Sequence, residues 1–315
     1  MAHAPTQPDL AIIIVNWNTR QLLLDCLAAI PAATPGITAE IWVVDNGSTD
    51  GSVTAVQSYH PEVRIIANRD NKGFAAANNQ AIRASDSRHV LLLNSDTVAR
   101  PGSLTALARF LDAHPEVGMV GSRLLNPDGS LQPSWAMFPS IFTELVGKKL
   151  RLRWRYPTRD GSRAYSTDWV DGAVLMIRRS ILPQVGLMDE HYFMYSEEVD
   201  WCYRTRRAGY QICYLPDAEV VHLGGQSSKQ AATRMKYELY RSKLRFFNKH
   251  YGRPVATLFG LGLQMIFLGK ATIGGAVLAV TAARHPVGRA FARDGGLLLA
   301  ALGSQVWNLP RGEQP

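Results

Sequence analysis

The chain has 315 residues, 46% of them apolar and 19% charged, with a formal net charge of +8. That balance excludes a disordered chain and leaves room for one large α/β domain with an appendage, or for two modest domains. Three cysteines (Cys26, Cys202 and Cys213) with no CxxC pair exclude a disulfide framework and point to a reducing compartment.

Residues 10–15 form a short β-branched apolar run, the pattern of a buried strand. Residues 19–30 carry apolar side chains at helical spacing, with Pro31 and Pro35 expected to close the helix. Residues 40–44 read as a second strand entering the turn Asp45-Asn46-Gly47-Ser48, and residues 48–59 as a helix capped by Ser or Thr. Residues 63–67 are a third strand, 73–84 an alanine-rich helix, and 89–93 a fourth strand running into Asn94-Ser95-Asp96. A further helix is expected over 101–113, with Pro101 near its first turn.

This alternation indicates βαβ units and a largely parallel sheet covered on both faces. In such sheets ligands bind beyond the carboxyl ends of the strands. Asn16-Trp17-Asn18, Asp45-Asn46-Gly47-Ser48 and Asn94-Ser95-Asp96 each follow an apolar strand directly, so the three motifs are expected to converge on one rim.

Beyond Gly121 the pattern loosens, with loop signals at Asn126-Pro127-Asp128-Gly129 and a basic run from Lys148 to Arg163. A strand is expected over 169–178, a helix over 197–208 with Gly209 just past its end, and short strands over 211–215 and 219–221. Residues 229–251 read as a long basic amphipathic helix or helix pair. Residues 255–283 are sharply apolar; the part before Lys270 makes roughly 22 Å of helix, short of a bilayer's ~30 Å core. A second apolar stretch spans 295–306. The tail reads as re-entrant or interfacial membrane structure flanked by basic residues, or as a soluble helical hairpin.

Several of these residues suggest chemistry. Asp45, at a strand end, suits the donors of a nucleotide base or ribose, and equally an ordinary turn. Asp96 ends a nearly all-apolar strand, where a carboxylate can hold a hard divalent cation bridging two phosphates. His222, in Val220-Val221-His222-Leu223-Gly224-Gly225-Gln226-Ser227, is the candidate second ligand, or a structural histidine. Its following Gly224, Gly225, Gln226 and Ser227 let backbone N–H groups approach phosphate. Glu197-Glu198-Val199-Asp200 packs three carboxylates together, either as a source of a general base or as an acidic turn favoured at a helix N-terminus. The basic runs suit anionic lipid or substrate phosphates better than nucleic acid, for which no zinc-finger, RNP-like or helix-turn-helix pattern exists.

Taken in order, Val15-Asn16-Trp17-Asn18, Val43-Val44-Asp45-Asn46-Gly47-Ser48-Thr49-Asp50-Gly51, Asn71-Lys72-Gly73-Phe74 with Asn78-Asn79, Leu93-Asn94-Ser95-Asp96, the acidic cluster and His222 resemble the family 2 inverting glycosyltransferases. The similarity covers about residues 10–251 and is nearest to bacterial rhamnosyltransferase-like members that build cell-surface polysaccharide. It implies a GT-A fold in residues 1–250; residues 251–315, beyond the similarity, are expected from their composition to be an apolar helical, membrane-associated appendage. It implies a dTDP- or UDP-linked sugar donor, a divalent cation (Mg2+ or Mn2+), and a glycan or polyprenyl-diphosphate-linked acceptor at the cytoplasmic face of the membrane. Asn16, Asn18, Asp45, Asn71, Gly73 and Asn78 then fall to the donor nucleotide. Asp96 and His222 fall to the metal, with Asn94 standing where the family's DxD motif has its first acid. Glu198 takes the place of the catalytic base. Asp171, Glu197, Asp200 and Trp201 are expected around the sugar or acceptor. No QxxRW motif is present, which favours transfer of one or a few sugars. The alternatives are a sugar nucleotidyltransferase, which would carry a glycine-rich loop after the first strand, and a non-catalytic membrane scaffold of the same fold.

Overall fold

Leu10, Ala11, Ile12, Ile13 and Ile14 have no solvent exposure at all. A strand apolar on both sides must be covered on both sides, and the computed structural model shows how. It describes residues 7–147, 164–226, 232–280 and eight more between 289 and 299. These fall into two compact units, Met1–Phe138 with Arg153–Ala231, and Pro139–Leu152 with Ala232–Pro315.

In the first unit β1 (Leu10–Asn16), α1 (Arg20–Ala33), β2 (Ala39–Asp45), α2 (Ser52–Tyr59), β3 (Arg64–Ala67), α3 (Phe74–Ala84) and β4 (His89–Asn94) form the expected βαβ series. The short β5 (Thr97–Ala99) and α4 (Ser103–Ala113) follow, then β6 (Val117–Leu125), β7 (Leu131–Gln132) and β8 (Trp135–Ala136). β9 (Tyr165–Thr167), β10 (Trp169–Val170), β11 (Val174–Arg178), the single turn α5 (Leu182–Val185), α6 (Glu197–Arg207) and β12 (Gln211–His222) complete it. The main sheet runs β3-β2-β1-β4-β11-β6-β12-β5, with β7 on β6 and β9 on β12. β3, β2, β1 and β4 are mutually parallel, as are β6 and β12, while β11 runs antiparallel to both β4 and β6.

Side chains alternate across the pleat. Leu10, Ile12 and Ile14 pack with Leu23, Leu27, Leu104 and Leu107 on one face. Ile13, Val44, Leu92 and Leu175 pack with Ala77, Ala81 and Trp201 on the other.

Some boundaries differ from the sequence reading, each for a physical reason. Pro31 lies inside α1 and does not close it; so near the end it forfeits one backbone bond, and Thr34 closes the helix by donating N–H and Oγ to Ile30 O. α2 begins after Gly51 at φ 81° without a side-chain cap, because Ser48 Oγ accepts from Asn18 N and Asn16 Nδ2 instead. Residues 169–178 are two strands, β10 and β11, parted where Val174 N turns back to Asp171 O and Ala173 N to Asp171 Oδ1. The two short strands after Gln211 are one, β12, with a register shift between Leu215 and Glu219. Pro216, which has no N–H to give the ladder, lies in that break. Ser196 precedes α6 at φ 65° and makes no capping bond.

Among its described residues the second unit contains a π-helical turn at Thr143–Gly147 and the helices α7 (Ala232–Tyr251) and α8 (Arg253–Val280), joined at Gly252 with φ 84°. Phe247 stacks on Phe259 at 4.2 Å and Tyr240 meets Phe267 edge-on at 4.9 Å. These contacts draw α7 to the tail, so the boundary expected at residue 250 falls within this unit. Lys243, buried on α7, pairs with the buried Glu144. α8 continues through Lys270, whose Nζ lies 5.7 Å from the Phe267 ring centroid. Its 28 residues span about 42 Å, so the short-helix reading of the tail does not hold. Arg253–Val277 is long and apolar enough to cross a membrane by length and composition. The basic run 148–163 and most of the second apolar stretch lie outside the described residues.

Candidate active site

The register brings the first three motifs together. Asn16 stands opposite Asp45, and Val15 opposite Asn94. Asn16 Nδ2 donates to Asp45 Oδ2 at 2.9 Å, and Ser48 N to Asp45 Oδ1 at 2.8 Å. Asn18 Oδ1 accepts from Thr49 N at 2.8 Å. Thr19 Oγ bonds Asn16 Oδ1 and lies 2.9 Å from Ser95 Oγ, tying β1 to the end of β4. Asp45 is therefore buried and engaged on both oxygens, each with a lone pair to spare for a ligand donor.

Asn71 Oδ1 accepts from Gly73 N, while Asn46 Nδ2 reaches Gly73 O at 3.2 Å. Gly73 has φ 87° and ψ 174°, conformations reserved for glycine. A Cβ there would lie 2.5 Å from Phe193 O. Phe74 N donates to that same oxygen, so this glycine seats the loop that leads into α6. Asn78 is buried, with Nδ2 on Phe74 O and Oδ1 unpartnered.

Asp96 and His222 meet through the antiparallel pairing of β5 with β12, which sets His222 opposite Thr97. Asp96 Oδ1 lies 3.3 Å from His222 Nε2. Leu223 N donates to Asp96 O, and Gln226 N reaches Asp96 Oδ2 at 3.3 Å. Gly224 (φ 73°) and Gly225 (φ 63°) make the turn between them. The loop read as a phosphate cradle thus folds onto Asp96; Ser227 lies outside the described residues. Burial pushes the Asp96 carboxyl up, but His222 and the Gln226 N–H outweigh it and hold it below the usual range. Burial lowers His222, and Asp96 and Asp171 more than reverse that.

Asp171, buried at the β10–β11 turn, accepts from Ala173 N. Ala173 O accepts from Asn94 N, and a Cβ on Gly172 would lie 3.4 Å from Glu198 Cβ. This turn therefore joins the β4 rim to α6. Burial raises the Asp171 carboxyl against the Ala173 N–H and His222, which lower it. Burial, then the neighbouring Asp171, pushes Glu198 up to about 7. Burial, then Glu198, raises Glu197 well above the carboxylate range.

Asp200 and Trp201 are placed differently from the sequence reading. Asp200 has no exposure and bonds Arg204 Nε at 2.9 Å. Arg204 in turn donates to Val185 O and Leu187 O. Trp201 is likewise fully buried, with Nε1 on Gly186 O at 2.9 Å. Both anchor α6 against the loop before it, and neither is presented to an acceptor.

Reasoning from sequence missed Gln132, and it met Asn79 only beside Asn78 in a motif, without a role. Gln132 Oε1 lies 2.7 Å from His222 Nδ1. Asn79 pins the loop ahead of α6, donating to Met188 O and Glu190 Oε1 and accepting from Met188 N. Nothing in residue type flags Gln132; it returns to the rim because the turn at Asn126–Gly129 doubles the chain back along β6.

The donor atoms fit a divalent cation. His222 Nε2 is buried with no hydrogen-bond partner and stands 3.3 Å from Asp96 Oδ1. Among the described residues no three His, Cys, Asp or Glu side chains cluster as a complete metal shell. One carboxylate and one imidazole suit a cation that takes its other ligands from substrate phosphates and water.

The model of the family described as Glycosyl transferase family 2 matches residues 11–186. The chain is 32% identical over 234 residues to the N-acetylglucosaminyl-diphospho-decaprenol L-rhamnosyltransferase of Mycobacterium tuberculosis, over 68% of this chain and 75% of that protein. Its structure resembles a mannosyltransferase from Pyrobaculum calidifontis solved with GDP-Man and Mn2+, with TM-score 0.56 and 18% identity over 97% of this chain and 89% of that one. It also resembles GalNAc-T7 solved with UDP, GalNAc and Mn2+, with TM-score 0.58 and 16% identity. That likeness covers 78% of this chain and 48% of the other, so this chain spans about half its length. The GT-A fold expected from the motifs is the one observed.

Proposed function

The chain belongs to glycosyl transferase family 2, and we propose that it is a metal-dependent inverting glycosyltransferase moving a sugar, rhamnose by its relative, from a dTDP- or UDP-linked donor to a hydroxyl of a polyprenyl-diphosphate-linked glycan. The observation that carries this reading is the convergence of Asp96, His222, Asp171 and Glu198 at the carboxyl ends of β4, β10 and β12 and the start of α6. The name of the mycobacterial relative supports the acceptor class, and the Mn2+ in the two solved structures supports the cation.

Asp45, with Asn16, Asn18, Asn71, Gly73 and Asn78, forms the wall for the donor nucleotide. Asp96 and His222 would hold Mg2+ or Mn2+, with Gly224–Gln226 close to the diphosphate. A bound cation neutralises charge developing on a departing diphosphate. Glu198, with its affinity for a proton raised by burial and Asp171, takes the proton of the acceptor hydroxyl as that oxygen attacks the anomeric carbon. Glu197 and Asp171 line the space around that attack. One displacement from the far face inverts the anomeric carbon and requires no covalent nucleophile.

The apolar α8 and the basic α7 suit a protein working at the cytoplasmic membrane surface, where such an acceptor resides. The test is the anomeric configuration of the product made from an α- or β-linked donor on a short-chain polyprenyl diphosphate acceptor, read by NMR. Inversion supports the single displacement; retention overturns it.

A further inference from the structure

Gln132 lies on β7 opposite Leu124 of β6, just after the turn Asn126-Pro127-Asp128-Gly129-Ser130. Its amide is held at both ends. Nε2 donates to Asn126 Oδ1 at 3.0 Å and points to His222 O at 3.4 Å, while Oε1 faces His222 Nδ1 at 2.7 Å. Two carbonyl-type oxygens around Nε2 leave only one orientation of the amide that satisfies both.

The chain behind Gln132 fixes the same direction. Asp128, which only accepts when ionised, takes the Ser130 hydroxyl at 2.6 Å. With its proton so committed, Ser130 Oγ accepts from Asn126 Nδ2 at 2.9 Å. That leaves Asn126 Oδ1 to accept from Gln132 Nε2, and Gln132 Oε1 to accept from His222. The proton of a neutral His222 therefore sits on Nδ1. Nε2 is left as a lone pair beside Asp96 Oδ1, acceptor facing acceptor, and it has no hydrogen-bond partner of its own.

We propose that Gln132 is a positioning residue that fixes His222 as its Nδ1–H tautomer, so that Nε2 and Asp96 together face a divalent cation. The inference rests on the assignment of Asp96 and His222 as metal ligands. An imidazole that ligates metal through one nitrogen is normally held by a hydrogen bond from the other, and loss of that partner lowers metal affinity about 10- to 100-fold.

The test uses the full chain without donor and titrates Mn2+, reading free Mn2+ by electron paramagnetic resonance. Gln132→Leu weakens Mn2+ binding about 10- to 100-fold, and Gln132→Glu, which keeps an acceptor on Nδ1–H, restores most of it. In 15N-histidine NMR of the wild type above the His222 titration, the signal lost in His222→Ala shows a protonated Nδ1 and an unprotonated Nε2. The reverse tautomer overturns the proposal, even if the leucine variant fails to fold. Normal Mn2+ affinity in Gln132→Leu, with binding lost in His222→Ala, also overturns it and leaves the metal site standing. Normal affinity in His222→Ala removes the metal assignment itself, and this inference with it.

Discussion

Asp96 Oδ1 and His222 Nε2 stand 3.3 Å apart, brought there by the ladder in which Thr97 pairs with His222. The contact sits between a strand end that any parallel sheet would use for ligands and a strand that arrives much later in the chain. Around it burial does opposite things to different acids. Asp96 is held ionised by its partners, whereas Glu198 keeps its proton up to about pH 7. Two carboxyl groups driven apart in this way divide naturally into a charge-bearing ligand and a proton acceptor.

Glu198→Gln removes the base and leaves the shape. Turnover, read as nucleotide diphosphate release, is expected to fall ~10²- to 10⁴-fold, with donor affinity retained. In the wild type the rate declines as pH falls through about 7, where Glu198 takes up its proton. Equal turnover in the variant would exclude Glu198 as base.

Stability carries the same signature with a definite sign. The unfolded Glu198 ionises near 4.5 and the folded one near 7, so between those values the native state binds more protons. Stability therefore falls as pH rises from about 4.5 to about 7 and then levels. Glu198→Gln removes that penalty. The variant is expected to gain on the order of 2–3 kcal/mol relative to wild type at pH 8, and little at pH 4.5. Urea unfolding at the two pH values checks this; an equal difference at both would contradict it.

Gly73→Ala strains the backbone at φ 87° and drives a methyl against Phe193 O. A cost of roughly 1–3 kcal/mol is expected in thermal unfolding. Because the same loop leads into α6, turnover falls further than stability alone explains. An unchanged melting temperature would show that the loop yields.

How much of this was legible beforehand follows from how locally each feature is encoded. The strand-end placement of Asn16, Asp45 and Asp96 was readable because apolar runs and turn residues are adjacent in sequence. The pairing of Asp96 with His222 was not readable from spacing, since it depends on a distant strand lying beside β5; the lone acid at the end of β4 and the glycines after His222 made that histidine the candidate partner, and the family resemblance named it again. Asp200 and Trp201 were misplaced because a cluster of acids gives no sign of which helical face it occupies. The i,i+4 partner Arg204 was the available clue. Gln132 was invisible because its role comes from a two-residue strand folded back by a turn.

The apolar face of α8 carries Leu258, Met265, Leu268 and Ile273 at 59%, 75%, 58% and 58% exposure. Asp at both Met265 and Leu268 is expected to shift the full chain from vesicles of anionic lipid into the supernatant in flotation assays, since charge in the hydrocarbon is costly. Unaltered flotation would count against a lipid-facing helix.

The most direct test of the central claim is nucleotide diphosphate release by the purified chain, measured over a panel of dTDP- and UDP-linked sugars with Mn2+ and a polyprenyl-diphosphate-linked glycan acceptor. The account predicts release from one donor that needs both metal and acceptor and is lost on chelation, in Asp96→Asn and in Glu198→Gln. Release that persists through chelation and both substitutions, or none with any donor, would contradict it.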